Sequence, residues 1–196
     1  ELEELYGSLV EGKEVVLKDL PIQYADFSVW QREWLQGEVL DRQLAYWQEK
    51  LYEASPISLP SKIRPETQSF EGRYYEQVLP RAILDKLNAL SRSEGATLFM
   101  LLLSVLKGAL SRCANQSDIV IGTPIANRRL SEVEGLIGFF INTLALRTDC
   151  GGNPRFKDLL KRVEETTLSA YEHQDVPFEQ LVDHLKVPRD LSRHPI

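Results

Sequence analysis

Apolar residues recur at helical spacing along most of the chain and crowd into a few short β-branched runs, a pattern that predicts helices alternating with isolated strands. Leu2, Leu5, Leu9 and Val10 share one helical face, and Gly12 is a stop signal. Past Pro21, residues 24–35 and 39–51 read as two more helices broken at Gly37, both with aromatics on the apolar face. Residues 52–72 hold Pro56, Pro60 and Pro65 among Ser, Thr and Glu. Each proline removes a backbone donor and turns the residue before it away from helical backbone, so this stretch reads as a linker. Residues 73–79 alternate like a strand, and Pro80 opens a helix that carries Ile83, Leu87 and Leu90 on one face and closes at Gly95. Thr97 is placed to cap the run from Leu98 to Leu106, which is apolar on nearly every side and spells a helix buried in a core. Ile119, Val120 and Ile121 suit an interior strand, and residues 139–147 are a second candidate. Asn153 and Pro154 open a long helix with Phe156, Leu159, Leu160, Val163 and Tyr171 on one face, and Phe178, Leu181, Val182 and Leu185 mark a last one. Helices, a linker, then alternating strand and helix predict an α/β protein rather than a helical bundle.

Charge and cysteine usage narrow the function classes. With 23 Lys and Arg against 29 Asp and Glu the net charge is −6, and no basic stripe stands out, which argues against a nucleic-acid surface. A hydrophobic fraction of 43% and a charged fraction of 27% predict a folded chain with a real core. Cys113 and Cys150 lack metal-ligand spacing, and His173, His184 and His194 lack a second histidine at such spacing, so no metal site is expected. A reduced, cytoplasmic chain is the simplest account, and no run approaches the length of a membrane span.

Single residues weigh toward structure. Tyr24, Phe27, Trp30 and Trp34 line one helical face, where aromatic stripes are core more often than ligand cages. Trp30 is therefore expected to be buried and its truncation to act through folding. Asp26 is placed to cap or tether its helix. Gly138 and the Gly122-Thr123-Pro124 segment put permissive backbone at strand boundaries, where a ligand or another strand can approach closely. Ser131 and Glu134 have capping-box spacing but meet Gly135 at once, which predicts one short helical turn. His173 precedes Asp175 and a turn at Pro177, a structural setting more than a catalytic dyad. Arg189, Asp190 and Arg193 read as a surface ion network. Residue types and spacing alone establish no activity.

Four ordered segments do carry a resemblance: Tyr24-Ala-Asp-Phe-Ser-Val-Trp30, Ile137-Gly-Phe-Phe-Ile-Asn-Thr143 continuing to Arg147, His173-Gln174-Asp175-Val-Pro-Phe-Glu179, and Arg189-Asp190-Leu-Ser-Arg193-His-Pro-Ile196. Together they resemble the condensation domains of nonribosomal peptide synthetases. His194 and Ile196 depart from the usual Asn and Leu. The resemblance implies a chloramphenicol acetyltransferase-like, two-lobed α/β sandwich, with residues 1–51 as the helical tail of the N-terminal lobe, 52–72 as the interlobe linker and 73–196 as most of the C-terminal lobe. It implies amide-bond formation between two carrier-bound aminoacyl or peptidyl thioesters, delivered on phosphopantetheine arms into a tunnel. Carrier proteins and an adjacent adenylation domain are the implied partners; no directly bound cofactor, nucleic acid or membrane is implied. The family's catalytic pattern His-His-x-x-x-Asp-Gly is absent from these residues and is expected upstream of Glu1, so the chain reads as a fragment without its own catalytic residue. Thr123, Pro124, Asn142 and Thr143 are the candidates for groups near the tunnel. Tyr24, Asp26, Phe27, Trp30, Gly138, Arg147, His173, Gln174, Asp175, Arg189, Asp190 and Arg193 are motif residues with an expected structural role. Gly138-Phe139-Phe140-Ile141-Asn142 stands where epimerising relatives carry a Gly-Trp-Phe-Thr-Ser type segment, which disfavours epimerisation. A non-catalytic docking module is the alternative, and a heterocyclising relative a more distant one.

Overall fold

The chain forms the expected alternation of helix and strand. In the computed structural model, which describes residues 2–17, 19–60 and 72–187, the order is α1 (Leu2–Glu11), α2 (Tyr24–Trp34), α3 (Gly37–Leu51), α4 (Arg81–Ser93), α5 (Leu98–Ala114), β1 (Asp118–Ile125), α6 (Ser131–Glu134), β2 (Asn142–Asp149), α7 (Phe156–Glu172) and α8 (Phe178–Leu185). Boundaries follow local chemistry. The Thr97 hydroxyl accepts from the Met100 N–H at 3.2 Å at the start of α5, and Asn115 closes that helix in left-handed backbone at φ 53°. Gly95 after α4 has φ 73°, a turn that L side chains resist. Among the described residues no single helix is long and apolar enough to cross a membrane.

β1 and β2 pair antiparallel, from Asp118 opposite Asp149 to Ile125 opposite Asn142. The strand expected over residues 73–79 does not form. Residues 72–80 lie in no element and Tyr74 is fully exposed, because alternation becomes a strand only when a neighbour pairs its backbone, and no described residue does.

The chain packs as two units. One comprises α1, α2 and residues 128–140, closed around Phe27, Val133, Leu136 and Phe140 with Leu20, Ile22 and Tyr24 against them. The other comprises residues 36–127 and the chain from 141 onward. In it α5 and α7 lie side by side over the face of the ladder that carries Leu144, Leu146 and Thr148. Leu101, Leu103, Ile119, Leu144, Leu146, Leu160 and Val163 are buried there, each worth roughly 1.5–3 kcal/mol of burial. Helix α3 packs with the second unit, because Gln43 and Trp47 bond to the loop after α7. Residues 128–140 pack with α2, because Val133, Leu136 and Phe140 close on Phe27.

Candidate functional site

The four tunnel candidates meet at one end of the β1–β2 ladder, where Thr123 pairs with Leu144, Pro124 with Thr143 and Ile125 with Asn142. Side chains alternate along a strand, so the register divides them. Asn142 shares a face with Leu144, Leu146 and Thr123, whereas Thr143 and Pro124 point to the other. Thr123 and Thr143 are half-buried and Pro124 is exposed.

Asn142 is 7% exposed, and its whole amide is engaged. Its Nδ2 donates to the carbonyls of Gln174 at 2.9 Å and Val176 at 2.8 Å, while its Oδ1 accepts from the N–H of Thr143 at 2.8 Å and of Phe178 at 2.9 Å. A carboxamide offers two donors and two acceptors, so the side chain works as a four-way tie. It fixes the α7–α8 loop to the start of β2 and satisfies the N–H of Phe178 at the open end of α8.

A second set of ties reaches this loop from α3. Gln43 Nε2 donates to Asp175 Oδ2 at 2.7 Å and Trp47 Nε1 donates to the His173 carbonyl at 2.7 Å. The imidazole of His173 stacks on the Tyr46 ring, centroids 3.9 Å apart and planes 8° from parallel. Its Nδ1 lies 2.8 Å from the Ser169 carbonyl, which only accepts, so that nitrogen carries the hydrogen. The Tyr46 hydroxyl is pushed up to about 12, by burial first and by the charge of Glu172 second. His173, Gln174 and Asp175 thus form one built loop. The residues that build it, Gln43, Tyr46 and Trp47, escaped the sequence reading. Their signal was present: Gln43 recurs at helical spacing with Trp47 and Leu51, a polar residue on the apolar stripe of its helix.

Arg147 anchors the same sheet on its other face. Its Nε and Nη2 grip Asp118 at 2.7–3.0 Å, and its Nη1 donates to the carbonyls of Lys50 at 3.0 Å and Tyr52 at 2.6 Å. The guanidinium therefore satisfies carbonyls that the end of α3 leaves open. The bond to Asp118 raises its pKa above the ordinary arginine value. A cavity of about 520 Å³ opens beside this anchor, lined by Leu51, Tyr52, Glu53, Val120, His184 and Lys186. It contains none of the tunnel candidates.

In the first unit, Asp26 Oδ2 accepts the N–H of Gln23 at 2.8 Å and tethers the start of α2. Gly138 is required by contact. A Cβ there would lie 2.2 Å from Tyr24 Cδ2, and the Tyr24 ring is held in place by its hydroxyl, which donates to the Phe139 carbonyl at 3.0 Å. Phe27 is buried as expected. Trp30 is not, being 42% exposed and stacked on Trp34, itself 38% exposed, at 5.4 Å. The aromatic stripe is wider than the apolar cluster that covers it. Arg189, Asp190 and Arg193 lie outside the described residues. Among the described residues no group of three or more His, Cys, Asp or Glu is placed to hold a metal ion.

Comparison with known proteins gives this geometry a family. The model of the condensation domain matches residues 1–196. The chain is 52% identical over 198 aligned residues to a linear gramicidin synthase of Brevibacillus parabrevis, covering all of this chain but 3% of that protein. Among solved structures, the X-domain from teicoplanin biosynthesis superposes with a TM-score of 0.88 at 30% identity, over 99% of this chain and 45% of that one. The first condensation domain of the calcium-dependent antibiotic synthetase superposes with a TM-score of 0.76 at 20% identity, over 94% of this chain and 40% of that one, a likeness of fold. The chain spans a few per cent of its curated relatives and less than half of these solved chains. It belongs to the condensation-domain family of nonribosomal peptide synthetases.

Proposed function

We propose that this chain is part of a domain that joins two carrier-bound substrates by an amide bond. The observation that supports this reading is the match of residues 1–196 to the condensation-domain family and to part of a peptide synthetase, with the Ile137–Arg147 and His173–Glu179 motifs built as tied structural elements. The acceptor amine attacks the donor thioester carbonyl, the C–N bond forms, the C–S bond breaks, and the donor carrier leaves as a free thiol with the amine's proton. Both substrates arrive on phosphopantetheine arms of carrier proteins, with an adenylation domain in the same synthetase loading the acceptor. Positioning supplies much of such catalysis, and a histidine of the family's His-His-x-x-x-Asp-Gly pattern, which is not among these residues, would handle the amine. Pro124 and Thr143, which share a face of the ladder, are assigned to the tunnel wall, with Thr123 at the same ladder end on the opposite face. Asn142 is assigned a positioning role, because its amide already holds the loop after α7.

The test uses a domain that extends upstream of this chain, with donor- and acceptor-loaded carriers and product followed by mass spectrometry. Amide product is expected, undiminished by chelator, and residues 1–196 alone are expected to yield none. Loss of product on chelation would count against the metal-free reading, and turnover by residues 1–196 alone would overturn the assignment of catalysis to the upstream histidine. A docking module is the second reading, favoured by the likeness to an X-domain solved in complex with OxyB, at 31% identity and a TM-score of 0.84. Carrier binding without product, together with a degenerate histidine pattern upstream of Glu1, would establish it.

A further inference from the structure

Helix α5 is apolar on nearly every side, yet its inward stripe of Met100, Leu103 and Ser104 continues into a lysine. Buried lysines ordinarily extend their ammonium to water along an apolar stem. Lys107 does not, for it is 0% exposed. Its Nζ lies 2.6 Å from the Leu146 carbonyl, 2.7 Å from Thr148 Oγ1 and 3.5 Å from the Ile119 carbonyl, which ties the middle of α5 to both strands. All three partners are neutral oxygens.

The surrounding charges give it no counter-ion of its own. From β1, the carboxylate of Asp118 is gripped by Arg147 of β2. Past β2, burial pushes the Cys150 thiol up, away from thiolate. From the end of α3, Lys50 adds a like charge. From α7, Thr166 and Thr167 offer hydroxyls alone; Thr166 is bonded to Thr148 and Thr167 to its own helix. An ammonium here is hydrogen-bonded but unpaired, the arrangement in which desolvation falls hardest on the charged form. A neutral amine would keep the two short bonds and release only the 3.5 Å one.

We propose that Lys107 is an internal proton switch, in which loss of its proton strengthens the packing of α5 on the β1–β2 sheet. Burial, the largest influence, lowers its pKa from 10.5 to about 7, with Cys150 and Asp118 opposing and Lys50 reinforcing. The unfolded chain therefore holds one more proton than the folded one between roughly pH 7 and 10. The contribution of Lys107 to stability rises with pH through that window, is greatest above it, and is lost as pH falls toward 7. This inference is independent of the amide-forming reading, since it concerns folding alone.

The experiment is urea unfolding of a condensation domain carrying this chain, as wild type, Lys107→Met and Lys107→Gln, at about pH 7.5, 8.5 and 9.5. The ratio of wild-type to variant unfolding constants is expected to fall about tenfold per pH unit, measured with Cys150→Ala in every protein because the thiol and Lys107 shift each other's titration. Parallel profiles for wild type and either variant would overturn the proposal. Should neither variant fold, the ¹⁵Nζ resonance of Lys107 in wild-type protein decides: a titration midpoint near neutrality supports the switch, and one at about 10 or above refutes it.

Discussion

Around Phe27 the chain closes on rings, whereas around Asn142 it closes on hydrogen bonds. In the first unit Phe27 and Phe140 meet at a centroid distance of 4.8 Å, Tyr24 meets Phe140 edge-on at 5.2 Å, and the Arg128 guanidinium sits 4.0 Å over the Phe140 ring. The forces there are area burial, ring quadrupoles and a cation on a ring face, which tolerate small shifts. In the second unit one carboxamide, one glutamine and one indole N–H fix a loop through bonds of 2.7–2.9 Å. Directional bonds fix a loop's path more narrowly than ring contacts do. The difference predicts two kinds of failure: loss of a whole cluster on one side, and local loosening of a loop on the other.

Phe27→Ala should have the largest effect, about 3–5 kcal/mol, because it empties the centre of the aromatic cluster. Urea denaturation of a condensation domain carrying this chain measures it; a loss below about 1 kcal/mol would show that the cluster does not depend on this ring. Asn142→Ala should cost somewhat less, about 2–4 kcal/mol, because it strands the Phe178 N–H and two carbonyls away from their partner. Its distinguishing mark is hydrogen exchange, which should accelerate in residues 173–178 while α5 stays protected. Uniform acceleration throughout would erase the contrast between the two regions. Gly138→Ala should cost about 1–3 kcal/mol as the new methyl displaces the Tyr24 ring, and pairing it with Tyr24→Ala should recover part of that loss. If the double variant is no better than the sum, the contact is not the reason for glycine. Trp30→Ala should be mildest, below about 1.5 kcal/mol, since much of the ring is exposed. A cost comparable with Phe27→Ala would restore the expectation that Trp30 is a core residue.

Periodicity carried most of the fold. The pattern located the helices within a few residues, and Pro80, Thr97 and Gly95 stand at the boundaries their chemistry implied. Residues 73–79 failed because alternation describes one strand's faces and says nothing about whether a partner exists. Trp30 failed for a related reason, since helical spacing tells which residues share a face but not how much of that face is covered. The motifs were legible as a resemblance, and the resemblance named the family. It could not say what the residues touch. That Asn142 is bonded to Gln174, Val176 and Phe178, or that Gly138 is glycine because of Tyr24, depends on residues far apart in sequence. Gln43 and Lys107 were the overlooked signals: a polar residue in line with buried apolar ones has a bonded partner inside the fold.

The apolar girth of α5 also sets a timetable for synthesis. Leu98–Ala114 leaves the ribosome before the strands that shield its inner side, and α7, its other packing partner, begins only at Phe156. At about 5–20 residues per second the nascent chain carries that helix for several seconds without its cover. A stretch with Leu101, Leu102 and Leu103 in succession is then a sticky ligand for a holdase or for a neighbouring nascent chain. Translation speed between codons 98 and 172 then becomes a determinant of yield.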